Sequence, residues 1–161
     1  MEDDAQVPPP QPANTVPTNT VNEDGVLVGA ETNKACPICQ AMLSDATIEN
    51  RSLRYCTKCR GMLVLLFNFL PLVEYMRTIW RSTGASIQPR DNADADRHLT
   101  CPLCLRTMTS YPYGGPGNVN LDSCEPCAVL WLDRNELRRI VLAPDHSSLY
   151  SKGDYGSGPK H

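Results

Sequence analysis

The chain has 161 residues, with 15 Lys and Arg against 18 Asp and Glu, a formal charge of −3, and only two Phe and two Trp. That length allows one ordinary domain or two very small ones. The acidic balance lacks the basic footprint of most nucleic-acid binders, and the eight cysteines are too sparse for a secreted disulfide scaffold.

Residues 1–33 are Pro-rich and acidic without apolar periodicity, which predicts a disordered tail. Met1 is followed by Glu2, Asp3 and Asp4 rather than a basic and then apolar leader. A reducing cytoplasm is therefore expected, where paired cysteines more often hold metal than form disulfides.

The pair Cys36 and Cys39 opens residues 34–81, and Cys56 and Cys59 follow. Between them, Thr47-Ile48 and Leu53-Arg54-Tyr55 flank Glu49-Asn50-Arg51, a pattern that suits a short hairpin. The run Met62–Val73 is apolar at nearly every position but spans twelve residues and contains Asn68 and Pro71. A membrane helix needs roughly 20 apolar residues. Within and beyond the run, Phe69, Leu72, Val73, Met76 and Trp80 recur at helical spacing, with Asn68 as the cap and Pro71 in the tolerant first turn. The run predicts packing between repeats, with a partner or self-association surface as the alternative.

A polar linker is expected over 82–98, and then the pattern repeats in 99–145. Cys101 and Cys104 follow Cys36 and Cys39 by 65 positions; Cys124 and Cys127 follow Cys56 and Cys59 by 68. Ser110–Tyr113 and Val119–Leu121 flank a Gly-rich turn. Asp133 and Glu136 form a capping-box pair ahead of Leu137, Ile140 and Val141, and Ala143-Pro144 closes that helix. Residues 146–161 read as a second disordered tail.

All eight cysteines thus fall in C-x-x-C pairs, and none is left over. A two-residue spacer turns both sulfurs toward one centre, and two such turns complete a tetrahedron. The predicted cofactors are two zinc ions, one on Cys36, Cys39, Cys56 and Cys59, the other on Cys101, Cys104, Cys124 and Cys127. Eight thiolates and two Zn²⁺ would carry the net charge to about −7. Each repeat is too small for a self-sufficient core, so metal binding should be coupled to folding. The fold class predicted is a small, metal-stabilised β+α protein: two tandem zinc ribbons, each a β-hairpin with knuckles followed by a short helix.

Cys124-Glu-Pro-Cys127-Ala-Val-Leu130-Trp131-Leu132-Asp133-Arg134-Asn135-Glu136-Leu137 resembles the signature of the transcription factor IIB-type zinc-finger family, roughly C-x-x-C-G-G-x-W-L-D-x-x-E-L, common in small bacterial proteins. Ala128-Val129 stands where that family has a Gly pair. The first repeat matches through Gly61 and then lacks the Trp and Asp. The resemblance implies a zinc-ribbon fold and a loose association with transcription. Trp131 and Leu132 are read as structural anchors that pack the helix against the knuckle, alongside Asp133, Glu136 and Leu137.

Four thiolates close a zinc site to substrate. No Ser/His/Asp set, carboxylate pair or phosphate loop is present, so neither an enzyme nor a small-molecule substrate is expected. Two classes remain. One is an adaptor that binds a protein partner or a second copy. The other is a nucleic-acid binder that uses Lys34, Arg51, Arg54, Lys58 and Arg60, with tyrosines stacking on bases.

Overall fold

The computed structural model describes residues 21–80, 89–90 and 96–144. The expectations for 1–20 and 146–161, and most of the expected linker, lie outside these residues. Among the described residues, seven strands form one antiparallel sheet: β1 (Leu27–Ala35), β2 (Met42–Ile48), β3 (Arg51–Tyr55), β4 (Met62–Leu65), β5 (Thr109–Pro112), β6 (Asn120–Cys124) and β7 (Val129–Leu132). Helix α1 (Phe69–Ile79) follows β4 through a 3-10 turn, and α2 (Arg134–Leu142) follows β7.

The sheet order is β1-β2-β3-β4-β7-β6-β5. Strands β2–β4 of the first repeat and β5–β7 of the second each form a three-stranded meander, the two meanders meet edge to edge at β4 and β7, and β1 extends the first at its outer edge. Leu63 pairs with Trp131, Val64 with Leu130, and Met62 with Leu132. Leu63 and Trp131 each stand four positions beyond the last cysteine of their own repeat. Equivalent strands therefore pair about a pseudo-twofold axis at Leu63 and Trp131, the geometry of an isologous dimer within one chain. Joining the meanders removes two sheet edges that would otherwise stay open.

The sheet and both hydrophobic clusters draw on both repeats, 34–81 and 99–145. Spacing within each repeat carries no information about pairing between them.

The structure corrects the extent of the tail expected over 1–33. Residues 27–33 lie in β1, which pairs along β2 with two interruptions of register. Most β1 side chains are exposed or half-exposed, so the strand leaves little apolar pattern. Upstream of it, Asp24 is buried, accepts the Tyr55 hydroxyl at 2.8 Å and meets Arg134 Nε at 3.4 Å. That carboxylate clips the start of the first repeat to α2 of the second.

Alternation of side chains along each strand sorts the apolar residues onto two faces. Leu53, Tyr55, Met62, Val64, Leu121, Leu130 and Leu132 cluster with Leu72, Val73 and Met76 of α1 and Leu137, Ile140 and Val141 of α2. On the opposite face, Leu43, Leu63, Val129 and Trp131 cluster with the cysteines, Leu99 and Met108. The helices cover one face, and the cysteine knuckles cover the other.

Candidate metal centres

Each cysteine knuckle is a turn with the same backbone device. Gln40, Arg60, Leu105 and Ala128, the residues immediately after Cys39, Cys59, Cys104 and Cys127, all adopt positive φ of 50 to 64°. In three knuckles this reversal lets the following amide return to the first cysteine's carbonyl: Gln40 to Cys36 at 3.1 Å, Arg60 to Cys56 at 2.8 Å, Leu105 to Cys101 at 2.9 Å. The left-handed region favours glycine. That explains why the resembling family carries glycine there, and it marks Ala128 as a strained position in this chain.

The turns bring Cys36, Cys39, Cys56 and Cys59 together, and Cys101, Cys104, Cys124 and Cys127 together, with all sulfurs of a group within 4.8 Å of one another. Cys36 Sγ stands 3.5 Å from Cys59 Sγ, Cys39 is 3.4 Å from Cys56, and Cys104 is 3.5 Å from Cys124. A disulfide would place two sulfurs near ~2.05 Å; these are free thiols.

The electrostatics of the clusters call for a cation. In the first group, burial pushes Cys36 up to about 11, whereas backbone amide and thiol hydrogen bonds outweigh burial at Cys39 and lower it to about 7. In the second, a backbone hydrogen bond and the neighbouring thiols lower Cys104 to about 7, and the hydrogen bond to Cys104 raises Cys127 to about 12. One sulfur ionises and its neighbours resist a second charge. A divalent ion at the centre removes that repulsion and accepts four thiolates. Four soft sulfur donors within 4.8 Å of one another suit zinc. Each group is able to bind one zinc ion.

Around these centres the structure divides the expected anchors. Leu132 on β7 and Leu137 on α2 are buried in the cluster between the sheet and the helices. Trp131 lies on the other face, fully buried among knuckle residues, and its Nε1 donates to Asp133 Oδ1 at 2.9 Å. Its ring covers Gly61, where an added Cβ would stand 2.3 Å from Cζ2. Glu136 accepts the Asp133 amide at 2.8 Å, the reach-back half of a capping box.

Sequence reasoning missed Arg97, which it placed in the linker. Its guanidinium bridges Asp122 at 2.5 Å and Asp133 at 2.6 Å, with Glu136 at 3.7 Å. Burial opposes its charge, but hydrogen bonds to Asp133 and Asp122 outweigh it and raise its pKa. Burial, reinforced by the Asp133 charge, pushes Glu136 up to about 8. The only signal in sequence was the acidic pair Asp122 and Asp133, which needs a nearby cation once buried.

Of the five basic residues considered for nucleic acid, three already meet carboxylates. Arg51 pairs with Glu49, Arg54 with Asp45 and Arg60 with Glu23. Lys58 is exposed and Lys34 half-exposed.

Knuckles on a β-hairpin meander, closed by four cysteines, define a zinc ribbon, and this chain carries two. Residues 100–143, the second repeat, match the family model described as transcription factor zinc-finger, a zinc ribbon of the transcription factor IIB type. The first repeat has the same cysteine frame outside the matched segment. No curated protein and no solved structure matches the chain. Among the described residues, no helix is long and apolar enough to cross a membrane.

Proposed function

We propose that the chain is a non-catalytic adaptor of the cytoplasm, with links to transcription, in which two zinc ribbons hold a rigid surface for a protein partner. The observation that carries this reading is the fate of the run Met62–Val73. Its strand residues Met62–Val64 are buried at the join of the repeats, and Phe69, Leu72 and Val73 enter the core. Leu66 and Phe67 in the turn between β4 and α1, and Leu70 in the first turn of α1, remain 53%, 73% and 58% exposed. Large apolar side chains fixed together at the surface favour a protein contact. The carboxylate partners of Arg51 and Arg60 weigh against a phosphate-binding face.

The test is affinity purification of the zinc-loaded protein at low and high salt, followed by Phe67→Asp. An adaptor retains its protein partner as salt rises, because apolar burial is screened little, and loses it in the variant, whose exposed position leaves the fold intact. Recovery of nucleic acid instead, with a log–log salt slope of roughly −3 to −5 and no effect of Phe67→Asp, would refute the reading.

A further inference from the structure

The pseudo-twofold axis relates two places on the knuckle face, and their contents differ. Beside the second repeat's meander, the Trp131 ring covers Gly61, and the Arg97 guanidinium bridges Asp122 and Asp133. Counted from the cysteines, the equivalents in the first repeat's half are Leu63 for Trp131, Val129 for Gly61, Arg54 for Asp122 and Leu65 for Asp133. The position equivalent to Arg97 is Thr32, an uncharged residue of β1 whose hydroxyl donates to the Leu43 carbonyl at 2.7 Å. A groove of about 230 Å³ stands open instead, lined by Asp45, Arg54, Leu63, Leu65, Leu103 and Val129.

We propose that this groove binds an acidic–apolar peptide segment of a partner protein, with a carboxylate on Arg54 and an apolar side chain against Leu63, Leu65, Leu103 and Val129. The proposal rests on the adaptor reading and names the chemistry of the partner.

Charge complementarity carries the assignment. In the filled half, two wall carboxylates receive a guanidinium; in the open half, the wall carries a guanidinium that one exposed carboxylate, Asp45, engages only through Nε, and one of the two carboxylate positions is a leucine. The matching occupant therefore carries an anion beside an apolar group. Arg54 engages Asp45 through Nε at 3.4 Å, while its Nη1 is buried and has no hydrogen-bond partner among the described residues. Such a donor is costly to leave unmade, and a carboxylate would satisfy it with a charge-assisted bond. Four aliphatic walls suit a peptide side chain better than a phosphodiester. The volume lies below the ~300–1,000 Å³ of small-molecule sites. Leu103 belongs to the knuckle between Cys101 and Cys104, so zinc in the second site holds one wall in place.

The test uses the zinc-loaded full chain with methyl-labelled Leu and Val, titrated with the blocked peptide Ala-Asp-Ala-Leu-Ala-Asp-Ala. In an extended peptide, residues two apart share a face, so this probe offers a carboxylate beside the leucine in either direction. Saturable shifts at the methyls of Leu63, Leu65, Leu103 and Val129 are expected. Replacing both Asp by Asn, replacing Leu by Ala, or changing Arg54→Ala in the protein should each weaken binding at least about tenfold, with zinc content unchanged. Equal binding of the Asn peptide, or by the Arg54→Ala protein, overturns the assignment. Shifts with single-stranded oligothymidylate but not with the peptide would overturn both the groove and the adaptor. No shift with any probe, while Phe67→Asp still abolishes partner binding, overturns the groove alone. Shifts of these methyls on deletion of residues 1–20, without added peptide, would show that the chain's own acidic segment fills the groove and overturn the intermolecular assignment.

Discussion

Gly61→Ala is the sharpest perturbation of the join between the repeats. An ideal Cβ at Gly61 would lie 2.3 Å from Trp131 Cζ2 and 3.0 Å from Cε2 and Cη2. Carbon atoms pack at about 3.5–4.0 Å, so the indole must retreat by more than an ångström. It has little room, being fully buried and tied through Nε1 to Asp133. Overpacking of this kind costs about 1–3 kcal/mol, and loss of the indole hydrogen bond adds about 1 kcal/mol. A total of about 2–4 kcal/mol is expected. Trp131→Leu, which installs the residue found at the equivalent position Leu63, should cost about 2–4 kcal/mol through the volume it leaves empty. With the ring gone the added methyl has space, so the double variant should fall short of the summed costs by at least about 1.5 kcal/mol. Urea unfolding followed by circular dichroism, at one buffered free-zinc concentration, measures all four corners of the cycle. Costs that add to within about 0.5 kcal/mol, or a Gly61→Ala protein as stable as the parent, would refute this packing.

Three further outcomes follow from the geometry. Because β7 pairs with β4, Cys127→Ser should weaken zinc retention at Cys36, Cys39, Cys56 and Cys59 as well as abolish it in the second site; chelator competition reads both, and an unchanged first site would mean that the ribbons fold independently. Ala128→Gly relieves the φ of +50° and should stabilise the zinc-loaded fold by about 1 kcal/mol; a loss of stability in urea would contradict this. The Glu136 pKa is raised in the folded state to about 8 from the ordinary carboxyl value of 4.5. The fold therefore binds this proton more tightly than the unfolded chain does, and the contribution is lost as pH rises through 8. Stability should decline from pH 6 to pH 8.5, and Glu136→Gln, which keeps an acceptor for the Asp133 amide, should flatten that slope; an equal slope in the variant would contradict the assignment.

The features set by local chemistry were legible in the sequence. Two-residue cysteine spacers identify the eight ligands, Asp133 and Glu136 start the second helix, and Glu49-Asn50 marks the hairpin that forms between Ile48 and Arg51. What escaped depends on partners distant in the chain. Trp131 and Leu132 look alike as anchors, yet the two-residue period of β7 sends them to opposite faces. The run Met62–Val73 signals burial but does not say which sheet edge receives it. Arg97 reads as a linker charge until Asp122 and Asp133 are brought around it. β1 holds its place by backbone pairing rather than an apolar face, and so left no periodicity to find.

The central claim is that one chain folds around two four-cysteine zinc sites within a single sheet. Native mass spectrometry of the purified protein, with zinc-edge X-ray absorption on the same sample, tests it most directly. The account predicts two zinc ions per chain, each in an all-sulfur shell, and joint loss of metal and folded signal on chelation. One zinc per chain, nitrogen or oxygen in the shell, or an iron absorption band would contradict it.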